Sequence, residues 1–226
     1  MSKQRRKQRS RRPQSRSPQR LKPIEIVEYE ITTEPIRHRD YNRLPRRVQA
    51  TIEQLHSEAQ MRPRKAIPKI EKLIEKYPHI PSLYNYLSIA YNRLGQYEKS
   101  EATVMEQYRR DPDYLFARLN YAAICLHKEE YEKIPEIFDH KFDLKFLYPE
   151  RNRFHISEVV NFMSVIGIYF SRTGNREVAQ KYYDIIREIG PGYPATKMLK
   201  RELHPTLLQR GLRFLINLTQ NPRRKH

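Results

Sequence analysis

Residues 81–114 read PSLYNYLSIAYNRLGQYEKSEATVMEQYRRDPDY. Apolar residues three and four apart run up to Leu94, resume after Gln96 and stop before Pro112, the pattern of two amphipathic helices. A turn at Leu94-Gly95-Gln96 folds the second helix back antiparallel to the first. Pro112 lies 34 residues after Pro78, and Tyr131 lies 34 after Tyr97. Gly174 follows Gly95 by 79 residues and Pro191 follows Pro112 by 79, which is two periods of 34 plus 11. Two independent markers therefore place one 11-residue insertion before the last full unit.

The slots Tyr84, Leu87, Ser88 and Tyr91, then Ser100 and Val104, then Pro112, resemble the tetratricopeptide repeat. Tyr stands for the family's Trp, Ser for its Gly and Ala, and Val for its Phe, so small residues still permit close helix approach. A weaker unit covers 46–78, with Val48, Ile52, Leu55 and Ala59 on one stripe, a turn at Met61-Arg62-Pro63, then Ala66, Ile70 and Leu73. The next unit, 115–146, places Tyr121, Ala122 and Cys125, then Tyr131, Ile134 and Phe138, in packing slots. There Arg118 occupies a position usually bulky and apolar, and Pro135 falls in the first turn of the second helix. The insertion spans 139–157, with aromatics expected to pack on the array and Ser157-Glu158 expected to cap the next helix. The last unit, 157–192, holds Met163, Ile166, Gly167 and Phe170, turns at Arg172-Thr173-Gly174-Asn175, and continues with Ala179 and Tyr183. Gly167 is expected to set the close approach of its own two helices. The resemblance implies an all-α fold, a right-handed superhelical array of helix-turn-helix repeats over 46–192, closed by a capping helix and basic end at 193–226.

The formal net charge is +18. Residues 1–22 hold ten Lys or Arg and no acid, including Lys3, Arg5, Arg6, Lys7, Arg9, Arg11 and Arg12. Rich in Gln, Ser and Pro, this stretch is expected to be a disordered tail. Its charge density suits a polyanion such as nucleic acid, ribosome or anionic lipid. No aromatic interleaves with the charges, so base stacking is not indicated. Residues 23–45, with β-branched residues around Tyr29, are expected to form an extended linker able to lie along the array or pair with a partner's strand. One cysteine, Cys125, excludes a disulfide framework and reads as a packed thiol. No apolar run reaches the roughly 20 residues of a membrane helix, and no secretory leader follows the basic start. The expectation is a cytoplasmic protein, or a nuclear one in a eukaryote, because KQRRKQRSRR resembles an import signal.

The eight His are scattered, and no phosphate-binding Gly loop or nucleophile pairing occurs. No catalytic, cofactor or metal residue is therefore expected, and the chain reads as non-enzymatic. The resemblance implies instead a groove lined by the first helix of each unit, able to take a peptide or partner helix. Its slots here are Asn85, Tyr86, Ile89, Asn92 and Arg93, then Phe116, Leu119, Asn120 and His127, then Ser164, Ile168 and Arg172. Tyr86 and Phe116 are expected to flank one pocket without filling the core. The function this implies is a scaffold or adaptor that binds a protein segment. The alternative is a nucleic-acid- or ribosome-associated adaptor acting through the basic tail.

Overall fold

The computed structural model describes residues 28–36 and 39–205. Within them the chain is mostly helical. The order is β1 (Glu30–Thr32), α1 (Arg39–Asn42), α2 (Arg46–Met61), α3 (Pro63–Lys76), α4 (Pro81–Arg93), α5 (Tyr97–Arg110), α6 (Leu115–His127), α7 (Lys133–Ile137), α8 (Leu144–Leu147), β2 (Arg153–His155), α9 (Ile156–Arg172), α10 (Arg176–Ile189) and α11 (Pro194–Leu203). Neighbours in sequence pack on one another from α2 to α7, while α6 also packs on α9, which contacts α10 and α11. The basic tail and the leucine-rich residues after Pro205 lie outside the described residues.

The backbone repeats where the sequence markers do. Helices α4, α6 and α9 end in the same motif, with Gly95, Glu129 and Gly174 in the left-handed region at φ 70°, 61° and 91°. In each, the next N–H reaches back five residues, Gln96 to Tyr91, Glu130 to Cys125 and Asn175 to Phe170, satisfying a carbonyl at the helix end. Helices α3, α5 and α10 end differently. Their caps Tyr77, Asp111 and Gly190 have φ near −132°, −128° and −149°, and each donates its N–H to the carbonyl four residues back. Three residues on, the next helix starts from an extended cap at Ile80, Tyr114 and Tyr193. Caps 77, 111 and 190 are separated by 34 and 79 residues, the spacing of the proline markers.

The unit after α6 departs from this. Its second helix, α7, lasts five residues because Asp139 and His140 both take positive φ. The expected full second helix is therefore cut short, although Pro135 does sit in its first turn. Arg118, in its supposedly apolar slot, is 7 % exposed and fully engaged. It donates to the carbonyls of Pro112 and Ile137 and to the carboxylates of Asp113 and Asp139, all at 2.7–2.9 Å. It thus ties the start of α6 to the strained end of α7.

The insertion supplies α8 and β2. Asp143 caps α8 by accepting from the Lys145 and Phe146 N–H groups, and burial pushes its carboxyl above the usual range. Strand β2 pairs in parallel with β1, Glu30 opposite Arg153 and Thr32 opposite His155. The segment expected to be an extended linker pairs with a strand of its own chain, and it also contains α1 and the core residues Tyr41 and Leu44. The cap of α9 is His155, not Ser157. Its Nδ1 accepts from the Ser157 N–H, and Glu158 accepts from the His155 N–H at 2.9 Å. His155 Nε2 lies 3.2 Å from the Thr33 carbonyl, an acceptor only, so Nε2 carries the proton.

Two apolar cores result. One gathers Ile52, Leu55, Ile70, Leu83 and Leu87 from α2–α4, and the other gathers α6 to α11 around Phe138, Phe154, Phe162, Ile166 and Ile186. Between them α5 presents Ser100, Val104 and Gln107 inward. The close approach at Gly167 is also not where the sequence put it. A Cβ there would lie 2.6 Å from Leu199, so Gly167 seats α11 against α9 rather than α10.

Candidate partner-binding cleft

A cleft of about 480 Å³ opens between α4, α5 and α6. Ile89 on α4, Val104 on α5 and Ala123 and Ile124 on α6 give it an apolar floor. Asn92, Arg93, Tyr97, Glu101, Asn120, His127 and Lys128 form its polar walls and rim. The cleft exists because α6 packs chiefly on α5 and only lightly on α4. One bond spans the gap, Asn120 Nδ2 to Asn85 Oδ1 at 2.9 Å. Opposite it, α4 and α5 approach closely enough for Ser100 Oγ to donate to the Ser88 carbonyl at 2.9 Å.

The electrostatics are one-sided. Lys128 pairs with Glu101, and that hydrogen bond holds the Lys128 ammonium above its ordinary pKa. Among the described residues, Asn92, Arg93 and His127 make no side-chain hydrogen bond or ion pair, and all three are exposed. The lining therefore carries uncompensated positive charge over an apolar floor. Tyr97 stands at the rim with 67 % of its surface exposed. An aromatic of that size left open to water is the residue type that anchors interfaces.

Of the groove residues read from the sequence, Ile89, Asn92, Arg93, Asn120 and His127 line this cleft, and Asn85 bonds to it. The others do not join them. Leu119 and Ile168 are core residues, and Ser164 is buried with its hydroxyl on the Ala195 carbonyl at 2.8 Å. Arg172 donates to the Leu126 carbonyl and pairs with Glu202 at 3.3 Å. Tyr86 and Phe116 do not line this cleft. Tyr86 packs on the α2–α4 core with its ring 5.2 Å from His56, and burial raises its phenol pKa. Phe116 packs on the other core beside Tyr114. Sequence reasoning missed the contribution of α5, namely Tyr97, Ser100, Glu101 and Val104, because it assigned the groove to first helices alone. The recurrence of Tyr97 at Tyr131 marked that position without showing that it lies open.

Cys125 is buried, and burial pushes its thiol above the usual range, which disfavours a reactive thiolate. Among the described residues no group of three His, Cys, Asp or Glu could hold a metal ion, and no helix is long and apolar enough to cross a membrane. Comparison with protein-family models, curated proteins and solved structures finds no match to this chain.

Proposed function

We propose that this chain is a non-enzymatic, cytoplasmic interaction scaffold of tetratricopeptide type, which binds a protein segment in the cleft between α4, α5 and α6. The observation that carries the reading is the cleft itself, with an apolar floor, an exposed Tyr97 and three polar side chains that have no partner among the described residues. Support for the repeat assignment comes from the helix-end motif recurring at residues 95, 129 and 174 and the second cap at 77, 111 and 190. The solvated part of the floor, at Ile89, Ala123 and Ile124, gains on the order of 25 cal/mol per Å² when a partner covers it.

The test is the double change Ile89→Gln/Tyr97→Ala in the full chain. Both side chains are at least partly open to solvent, so the melting temperature is expected to stay within about 3 °C. Capture of protein partners should be lost. Retention of the same partners by a folded double variant rejects the cleft as the working surface.

A second reading, nucleic-acid association, has one observation in its favour beyond the tail. Lys65, Lys69, Lys72 and Lys76 are all exposed at helical spacing along α3, and among the described residues only Lys69 of the four is ion-paired, to Glu58 at 2.7 Å. Binding of this kind weakens steeply with salt, with a slope set by the number of phosphates neutralised, whereas cleft binding does not.

A further inference from the structure

The last helix pair shows what the open cleft lacks. Positions 79 apart correspond, so Ser88 matches Gly167, Arg93 matches Arg172, Asn120 matches Leu199 and Ala123 matches Glu202. In the last pair the seam is shut. Leu199 presses onto Gly167, and Glu202 of α11 pairs with Arg172 of α9 at 3.3 Å. Both partners there are well shielded, with side chains 31 % and 11 % exposed. In the helix that follows α4/α5 the same slots hold a polar Asn120 in place of the leucine and the methyl group of Ala123 in place of the carboxylate. Among the described residues Arg93 consequently has no acid to meet, and α6 stands off α4.

We infer that the cleft takes a partner segment carrying an aspartate or glutamate next to a branched aliphatic side chain, the two groups that α11 supplies at the other end of the molecule. The inference rests on the cleft reading above and adds the partner's chemistry. The carboxylate would meet Arg93, with His127 and Lys128 on the same side. The one acid in the lining, Glu101, is already paired with Lys128 and does not oppose it. The aliphatic group would cover Ile89, Ala123 and Ile124.

The test uses random twelve-residue peptides displayed on phage, selected on the full chain at 300 mM salt, roughly three times the ionic strength at which the screening length is about 10 Å. High salt suppresses capture by the basic tail. Wild type should enrich peptides with Asp or Glu close to Leu, Ile or Val. Replacing that acid by Ala in a selected peptide should weaken binding roughly fivefold or more, the range of a partly shielded charged contact. On Arg93→Glu the acid preference should disappear and an acid-to-Lys peptide should bind better. Lys72→Glu, with the same net charge on the outer side of α3, should keep the wild-type preference. Should Arg93→Glu fold poorly, Arg93→Gln serves, with loss of the acid preference and no gain for Lys.

Three results overturn the inference. Peptides that bind and are blocked by Ile89→Gln/Tyr97→Ala, yet show no acid preference, reject it while leaving the cleft reading intact. An acid preference equally lost on Lys72→Glu assigns it to general charge, and also rejects it. Peptides indifferent to Ile89→Gln/Tyr97→Ala reject the cleft reading and the inference with it.

Discussion

In the α4/α5 pair the seam is lined by Ser88, Ser100 and Gln107, whereas in α9/α10 the corresponding positions are Gly167, Ala179 and Ile186. The helix ends of the two pairs have the same hydrogen bonds and matching dihedrals. Their backbones are therefore set by the same turn chemistry, and the side chains decide how tightly the next helix closes. Glycine at 167 lets α11 settle on α9 through Leu199. Around Ser88 the following helix leans on α5 instead, and a cleft remains. One half of the molecule closes its seam by packing, and the other leaves a cleft open to solvent.

The change expected to damage that contrast most is Gly167→Leu. Its side chain would enter the space of Leu199, which has no solvent-exposed surface to move into. Overpacking of this kind costs about 1–3 kcal/mol, and the upper end is expected here. Thermal unfolding followed by circular dichroism measures it, and an unchanged midpoint breaks the proposed closure of α9 on α11. Arg118→Leu comes next. It strips hydrogen bonds from two carbonyls and frees Asp139 at the end of α7. Because Asp113 and Asp139 are 89 % and 52 % exposed, the carboxylates rehydrate, and about 2 kcal/mol is expected in urea unfolding.

Gln107→Leu tests the polar seam in the opposite direction. Gln107 is fully buried and its Nε2 donates to the Pro81 carbonyl, while its Oε1 has no hydrogen-bond partner. The positions 34 before and 79 after it are Leu73 and Ile186. Substitution should raise stability by about 1 kcal/mol, and a loss would mean that the Pro81 contact outweighs the unmet acceptor. The smallest effect separates the two arginines. Glu202→Ala should cost up to about 1 kcal/mol by leaving Arg172 unpaired, and Arg93→Ala should leave the unfolding midpoint unchanged. Equal effects at both sites would show that Arg93 already has a structural role.

Much of this fold could be read from local signals. Pro78, Pro112 and Pro191 fall just after the helix caps they announce, and Gly95 and Gly174 occupy turns that need positive φ. The third such turn is at Glu129, which no residue type reveals, and its place follows only from the period. The early end of α7 was hidden for the same reason, since Asp139 and His140 adopt left-handed conformations without glycine. Strand β1 depends on a partner more than 120 residues away, a pairing that no local pattern encodes. Within the cleft, Ile89, Asn92, Arg93, Asn120 and His127 were named by the resemblance to the tetratricopeptide repeat, which places groove residues on the first helix of each unit. Tyr97 and Glu101 were not, because they enter the lining only through the way α6 packs, on α5 more than on α4, which no local pattern encodes.

The central claim is that the first pair is left open where the last pair is closed, and that a partner occupies the opening. The most direct measurement is the affinity of one selected acidic peptide for Asn120→Leu/Ala123→Glu, which gives α6 the groups that α11 carries. If the claim holds, the chain's own leucine and glutamate fill the cleft and engage Arg93, and binding falls at least roughly tenfold, or about 1.4 kcal/mol, with the melting temperature undiminished. Unchanged affinity in that folded variant would contradict it.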